Sequence, residues 1–176
     1  MEQYDRTSGQ KKQKMPIEEV IASVLSEEQK ILAFDFVSYL KSLRMTPQWA
    51  SHYSWAVSYK GKRVCYIKIS DKASEGTWYI RPSLQYDEAL EVFCQTEGLV
   101  SHMLKNVHYC VACGKCAPGK SASFFGQHLE HVCCAPIDFE FHNPGKEELE
   151  CVKKLVSYSR QRIKSEKEKV NKQKNT

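Results

Sequence analysis

The apolar positions change period several times along the chain, and each change predicts an element. Pro16 opens a short helix, and Ser26-Glu27-Glu28-Gln29 then has the form of a capping box, in which the serine oxygen and the Gln29 side chain each satisfy a free backbone amide. Leu32, Phe36, Tyr39, Leu40 and Leu43 follow at the three-and-four spacing of one helical face, and Pro47 closes the segment. From Tyr53 the period becomes two. Tyr53, Trp55, Val57 and Tyr59 alternate with Ser54, Ala56 and Ser58, the pattern of a strand with one bulky face. Lys60-Gly61 supplies turn chemistry and Val64 to Ile69 the return strand, so the pair reads as a hairpin. Thr77 to Arg81 predicts a third strand, and Asp87 caps a helix carrying Leu90 and Phe93 that ends near Gly98. Ile137, Phe139 and Phe141 alternate as a fourth strand. Asn143-Pro144 reads as cap and first helical position, and Leu149, Val152, Val156 and Ile163 mark the stripe of a long C-terminal helix. The fold class expected is α+β: an antiparallel sheet of about four or five strands packed against helices from both chain ends, with a cysteine-rich metal-binding insertion.

A chain of 176 residues with 41% hydrophobic content holds one domain with a real core. The expected division is a disordered lead-in over 1–15, a single domain over 16–163 that contains the cysteine-rich segment 108–136, and a basic polar tail over 164–176. The net charge of +5 changes meaning once it is divided along the chain. Residues 1–15 and 160–176 together carry +7, which leaves the body at about −2. A positive field confined to the ends supports weak, salt-sensitive contact with polyanions but gives the fold itself no basic surplus. The first residues are polar and acidic where a signal peptide needs a basic region followed by an apolar one, and no apolar run approaches the length of a membrane span. The expectation is a soluble, cytoplasmic protein.

Eight cysteines in a reducing compartment point to metal or reactive thiols ahead of disulfides. Cys65, Cys94 and Cys151 are scattered and read as small buried hydrophobes. The other five, Cys110, Cys113, Cys116, Cys133 and Cys134, fall in one short segment. Cys110-Val111-Ala112-Cys113-Gly114 sets two thiolates on one tetrahedral metal, with a glycine to relieve the tight turn behind them. A second pair completes such a site. The assignment is a structural zinc held by Cys110, Cys113, Cys116 and Cys133, with Cys134, His128 or His131 as replacements. Cys-x-x-Cys-x-x-Cys also begins an iron–sulfur pattern, but Lys120 stands where its next cysteine belongs. All-cysteine ligation leaves no open position for catalysis, so no catalytic residue is assigned.

Gly114 to Ser121 matches the phosphate-loop pattern letter for letter. The physics of that motif needs a buried parallel strand before it and a helix after it, and the cysteine context supplies neither. Tyr53, Trp55, Tyr59 and Tyr66 interleave with Lys60, Lys62, Arg63 and Lys68, a mixture that stacks bases and grips phosphates. Alternation instead puts Trp55 and its partners in the core, with the turn lysines in solvent.

The N-terminal helix, Trp49 and the strand-turn-strand from Trp55 to Cys65 together resemble uncharacterised small bacterial α+β proteins of the YdhG type, over residues 27–100. That resemblance implies a curved antiparallel sheet backed by helices and brings no established activity. The cysteine segment departs from it. The expected function is a non-enzymatic binding or interaction module stabilised by zinc, with a groove near Trp55 for a small-molecule or protein ligand. The alternatives are a thiol-based redox or metal-responsive protein, and a weak nucleic-acid binder acting through the basic tails.

Overall fold

The computed structural model describes residues 15–174 except 52, 71–75, 112–117 and 136–137. The expected lead-in therefore lies almost wholly outside the described residues. The element order is α1 (Ile17–Val24), α2 (Glu27–Ser42), β1 (Gln48–Ser51), β2 (Ser54–Tyr59), β3 (Lys62–Ser70), β4 (Thr77–Pro82), α3 (Glu88–Thr96), α4 (Val100–Lys105), β5 (Lys120–Phe124), β6 (Gln127–Val132), β7 (Phe141–His142) and α5 (Lys146–Lys174). Strands β1, β2, β3, β4 and β7 form one antiparallel sheet in that order, and β5 with β6 forms a separate two-stranded sheet.

The sheet has a dry face and an open face because its residues alternate. Trp55 pairs with Ile67, Ile67 with Ile80 and Ile80 with Phe141, so one row of apolar side chains crosses four strands. All four are at most 1% exposed. Helices α1, α2 and α5 supply the other half of this core through Ile21, Phe36, Leu40, Val152 and Val156. At the β2–β3 turn Lys60 and Gly61 both have positive φ (47° and 80°), the two-residue geometry that matches strand twist, and Tyr59 faces Lys62 across it. A bulge between Val57 and Ser58 adds Val64 to the return strand. Val64 and Cys65 are consequently both buried, which strict alternation forbids.

Two expected caps do other work. Helix α2 does start at Glu27, but Ser26 makes no side-chain capping bond, and Gln29 Oε1 instead accepts the indole N–H of Trp78 at 2.6 Å. Asn143 does not cap α5, which begins three residues later. Its Oδ1 accepts the backbone N–H of Trp78 at 2.9 Å, locking β4 to the chain entering the last helix. Both polar side chains satisfy groups on one buried tryptophan. The buried face of α2 is Ala33, Phe36, Val37 and Leu40, while Leu32, Tyr39 and Leu43 lie at its edges. Helix α5 continues through the expected tail to Lys174, and Lys167 Nζ reaches the Lys60 carbonyl at 2.6 Å.

The Asp87 cap is present as expected: its carboxylate accepts the Leu90 N–H at 3.0 Å and pairs with Arg162 of α5 at 2.5 Å. The Arg162 hydrogen bond, then the Leu90 amide, hold this carboxyl below the usual aspartate range. A depressed folded-state value contributes stability above the unfolded value and loses it as pH falls through the folded one. Asp87→Ala is expected to cost about 1 kcal/mol at neutral pH. Urea titrations should show the wild-type and variant midpoints converging in acid.

Candidate functional site

Cys110 and Cys133 are brought together at the mouth of the β5–β6 hairpin. Tyr109 and Val132 form an isolated antiparallel bridge. On either side of it the Cys110 N–H donates to the His131 carbonyl at 2.7 Å, and the Cys133 N–H donates to the His108 carbonyl at 2.8 Å. The two cysteines therefore sit diagonally across one ladder, about 7–8 Å apart at the backbone. Cys133 is 8% exposed, Cys110 is half-buried, and Cys134 lies at the surface.

The chain returns to the same place after the segment between the cysteines. His131 Nδ1 lies 3.0 Å from the Pro118 carbonyl. Gly119, with φ 99°, runs so close that a Cβ there would sit 2.7 Å from the Val132 carbonyl oxygen. Residues 110 and 118 are thus both tethered to His131, one through backbone and one through its ring. Cys113 and Cys116 lie outside the described residues. Among the described residues no group of three or more His, Cys, Asp or Glu side chains converges as metal ligands.

Of the replacement ligands, His128 and His131 stand on strand β6 and Cys134 lies just past its end. His128 is exposed on β6 and contacts Glu130 at 2.9 Å. Lys120 and Ser121, the last letters of the phosphate-loop pattern, open the antiparallel strand β5 where that motif requires a helix. Lys120 Nζ lies 3.8 Å from Asp138. The scattered thiols are core: Cys65, Cys94 and Cys151 are at most 2% exposed. Burial raises all three, Cys94 to about 11 and Cys151 to about 12, so none is a thiolate at neutral pH.

The hairpin is fastened to the body by aromatic contacts as well. Tyr86 meets Phe124 and Phe125 edge-on at 4.9 and 5.3 Å, its hydroxyl accepts the Phe125 N–H, and Phe124 packs on Phe139 at 5.0 Å.

A second constellation lies on the open face of the five-stranded sheet. Register sets Ala56, Tyr66 and Arg81 in one row, and Ser54, Lys68, Tyr79 and His142 in the next. Tyrosine and cation therefore alternate along both strand and ladder, a two-by-two checkerboard on β3 and β4. Arg63 lies 4.1 Å over the Tyr66 ring, and Arg81 and Lys68 lie 4.6 and 5.9 Å from the centre of Tyr79. Beside them Glu140, 5% exposed, pairs with Arg81 Nε and His142 Nε2, with His108 Nδ1 3.7 Å away. Burial lowers His108, and Arg81 and His142 add to this against the opposing pull of Glu140. Small side chains on β1 and β2 leave a depression of about 430 Å³ beside the rings, lined by Ser51, Ser54, Tyr66, Lys68, Tyr79 and Arg81.

Part of this face is legible in the sequence. Tyr66 does not join Trp55 in the core as expected: the alternations Tyr66-Ile67-Lys68-Ile69 and Trp78-Tyr79-Ile80-Arg81 each separate an apolar from a polar-aromatic face. Trp55 itself is core, 1% exposed. A pocket of about 340 Å³ does lie beside it, between the start of α1 and β1, lined by Met15, Ile17, Lys41, Pro47 and Trp49. No described helix is long and apolar enough to cross a membrane. Comparison with family models, with curated proteins and with solved structures finds no match to this chain.

Proposed function

We propose that this chain is a non-enzymatic binding or interaction module whose β5–β6 hairpin is fastened to the α+β body by a structural zinc ion held by Cys110, Cys113, Cys116 and Cys133. The observation that carries the reading is the double tether on His131. Cys113 follows one tethered residue by three positions and Cys116 precedes the other by two, and three residues of chain span at most about 11 Å. Cys133 begins two residues past His131, and Cys110 is its diagonal neighbour across the ladder. Four thiolates around zinc, at about 2.3 Å each, close the coordination sphere and contribute to folding, not to catalysis.

The hairpin has reason to need such a fastening. A two-stranded sheet is marginally stable in water, and on β5 and β6 only Phe124 and Val132 are buried. The competing reading is thiol redox, favoured by the exposed Cys134 next to the buried Cys133. Elemental analysis of the purified chain separates the two. The expected result is stoichiometric zinc, reduced in both Cys110→Ser and Cys133→Ser. Chelation is expected to deprotect the β5–β6 amides while the main sheet keeps its exchange protection. A metal-free chain with reversible oxidation of these thiols would establish the redox reading instead, and bound iron with sulfide would replace zinc by a cluster.

A further inference from the structure

We infer that the open face of the five-stranded sheet is a binding surface for single-stranded nucleic acid. Its rings and cations are interleaved, not segregated. Tyr66 and Tyr79 sit diagonally on β3 and β4, and each carries a guanidinium over its face, Arg63 at 4.1 Å and Arg81 at 4.6 Å. A base laid on this face meets ring and guanidinium as one platform, the pairing that single-strand binders use without sequence preference. Lys68 stands between the two tyrosines and supplies the phosphate contact. Ser51 and Ser54 also line the 430 Å³ depression, a volume within the roughly 300–1,000 Å³ range of sites that take a small organic group.

Charge and the pair of rings decide between a nucleic-acid strand and other anions. Glu140 is buried and engaged by Arg81, so it orients that guanidinium and does not project onto the surface. Arg63, folded back over Tyr66, adds a cation at that ring to Lys68 and Arg81. A free nucleotide engages only one of the two rings. An acidic peptide would use the cations but not the two rings. A duplex keeps its bases stacked inside and leaves the rings unused. None of the residues lining the depression belongs to the cysteine segment, so the inference gives the binding-module reading a ligand without using the metal.

The test is fluorescence anisotropy of the full chain with a labelled mixed-sequence single-stranded oligonucleotide of about twelve nucleotides, at about 50 and 200 mM salt. Saturable binding is expected, weakened at least tenfold by Lys68→Glu and severalfold by Tyr66→Leu, with both variants retaining the wild-type thermal midpoint within a few degrees. Both substitutions lie on the uncovered face, and if one lowers the midpoint the other carries the comparison. Equal affinity for the duplex together with an unaffected Tyr66→Leu would overturn the inference, since charge alone would then account for binding. Equally tight, Lys68-dependent binding of adenosine monophosphate or polyglutamate would overturn it in favour of a small anion or an acidic protein. A zinc-free chain that still binds the strand would refute the metal proposal alone, and a zinc-loaded chain that does not bind would refute this one alone.

Discussion

Trp78→Ala is expected to destabilise the fold by about 3–5 kcal/mol, the usual cost of emptying a large buried aromatic site. Trp78 is 1% exposed and packs against Phe36 of α2, with ring centres 6.5 Å apart. Its indole N–H is held by Gln29 and its backbone N–H by Asn143, so one residue ties the second helix, the fourth strand and the approach to the last helix. Alanine leaves the backbone bond but strands the Gln29 carbonyl and opens a cavity between α2 and the sheet. Gln29→Leu separates the two contributions: it removes the hydrogen bond and keeps the packing, at a cost of about 1–3 kcal/mol. Urea titration of both variants at constant denaturant slope checks the ordering. Equal losses would mean that packing contributes little here.

The second large effect concerns the buried carboxylate at the edge of the open face. Arg81→Ala removes the main partner of Glu140, a carboxylate with 4% of its side chain exposed, and is expected to cost roughly 3 kcal/mol because a buried charge is left uncompensated. Arg81 is itself 28% exposed, which puts the figure at the low end for buried pairs. The double variant Arg81→Met/Glu140→Leu is expected to recover most of that loss, since desolvation and attraction are removed together. A double variant as unstable as the single one would show that the tyrosine and histidine contacts of Arg81 and Glu140, not their charges, hold this corner.

The sequence made the sheet legible where period two ran unbroken and misled where a local rule met a tertiary demand. The hairpin from Ser54 to Ile69 was readable because Lys60-Gly61 has a single favourable turn geometry. Asp87 was readable as a cap because its helix has no stronger claim on that side chain. Gln29 and Asn143 depart from their expected capping roles for one reason. A buried tryptophan presents two N–H groups that need acceptors, and nothing local in the sequence says which distant side chains will supply them. The polar face of β3 and β4 is legible in alternation, whereas grouping aromatic residues together puts Tyr66 in the core. Aromatic character does not settle which face a residue takes; register does. Of the expected metal ligands, the pairing of Cys110 with Cys133 rests on a bridge between residues 23 apart, which spacing alone does not reveal.

The separation of β5 and β6 from the main sheet also sets a hierarchy of opening. The five-stranded sheet opens only with the global loss of its core, whereas among the described residues the hairpin is held by one bridge, a few aromatic contacts and its cysteine-bearing root. In native-state hydrogen exchange the molecule should therefore keep two times. The amides of β3 and β4 would exchange with the whole molecule, and those of β5 and β6 would follow a faster opening of their own.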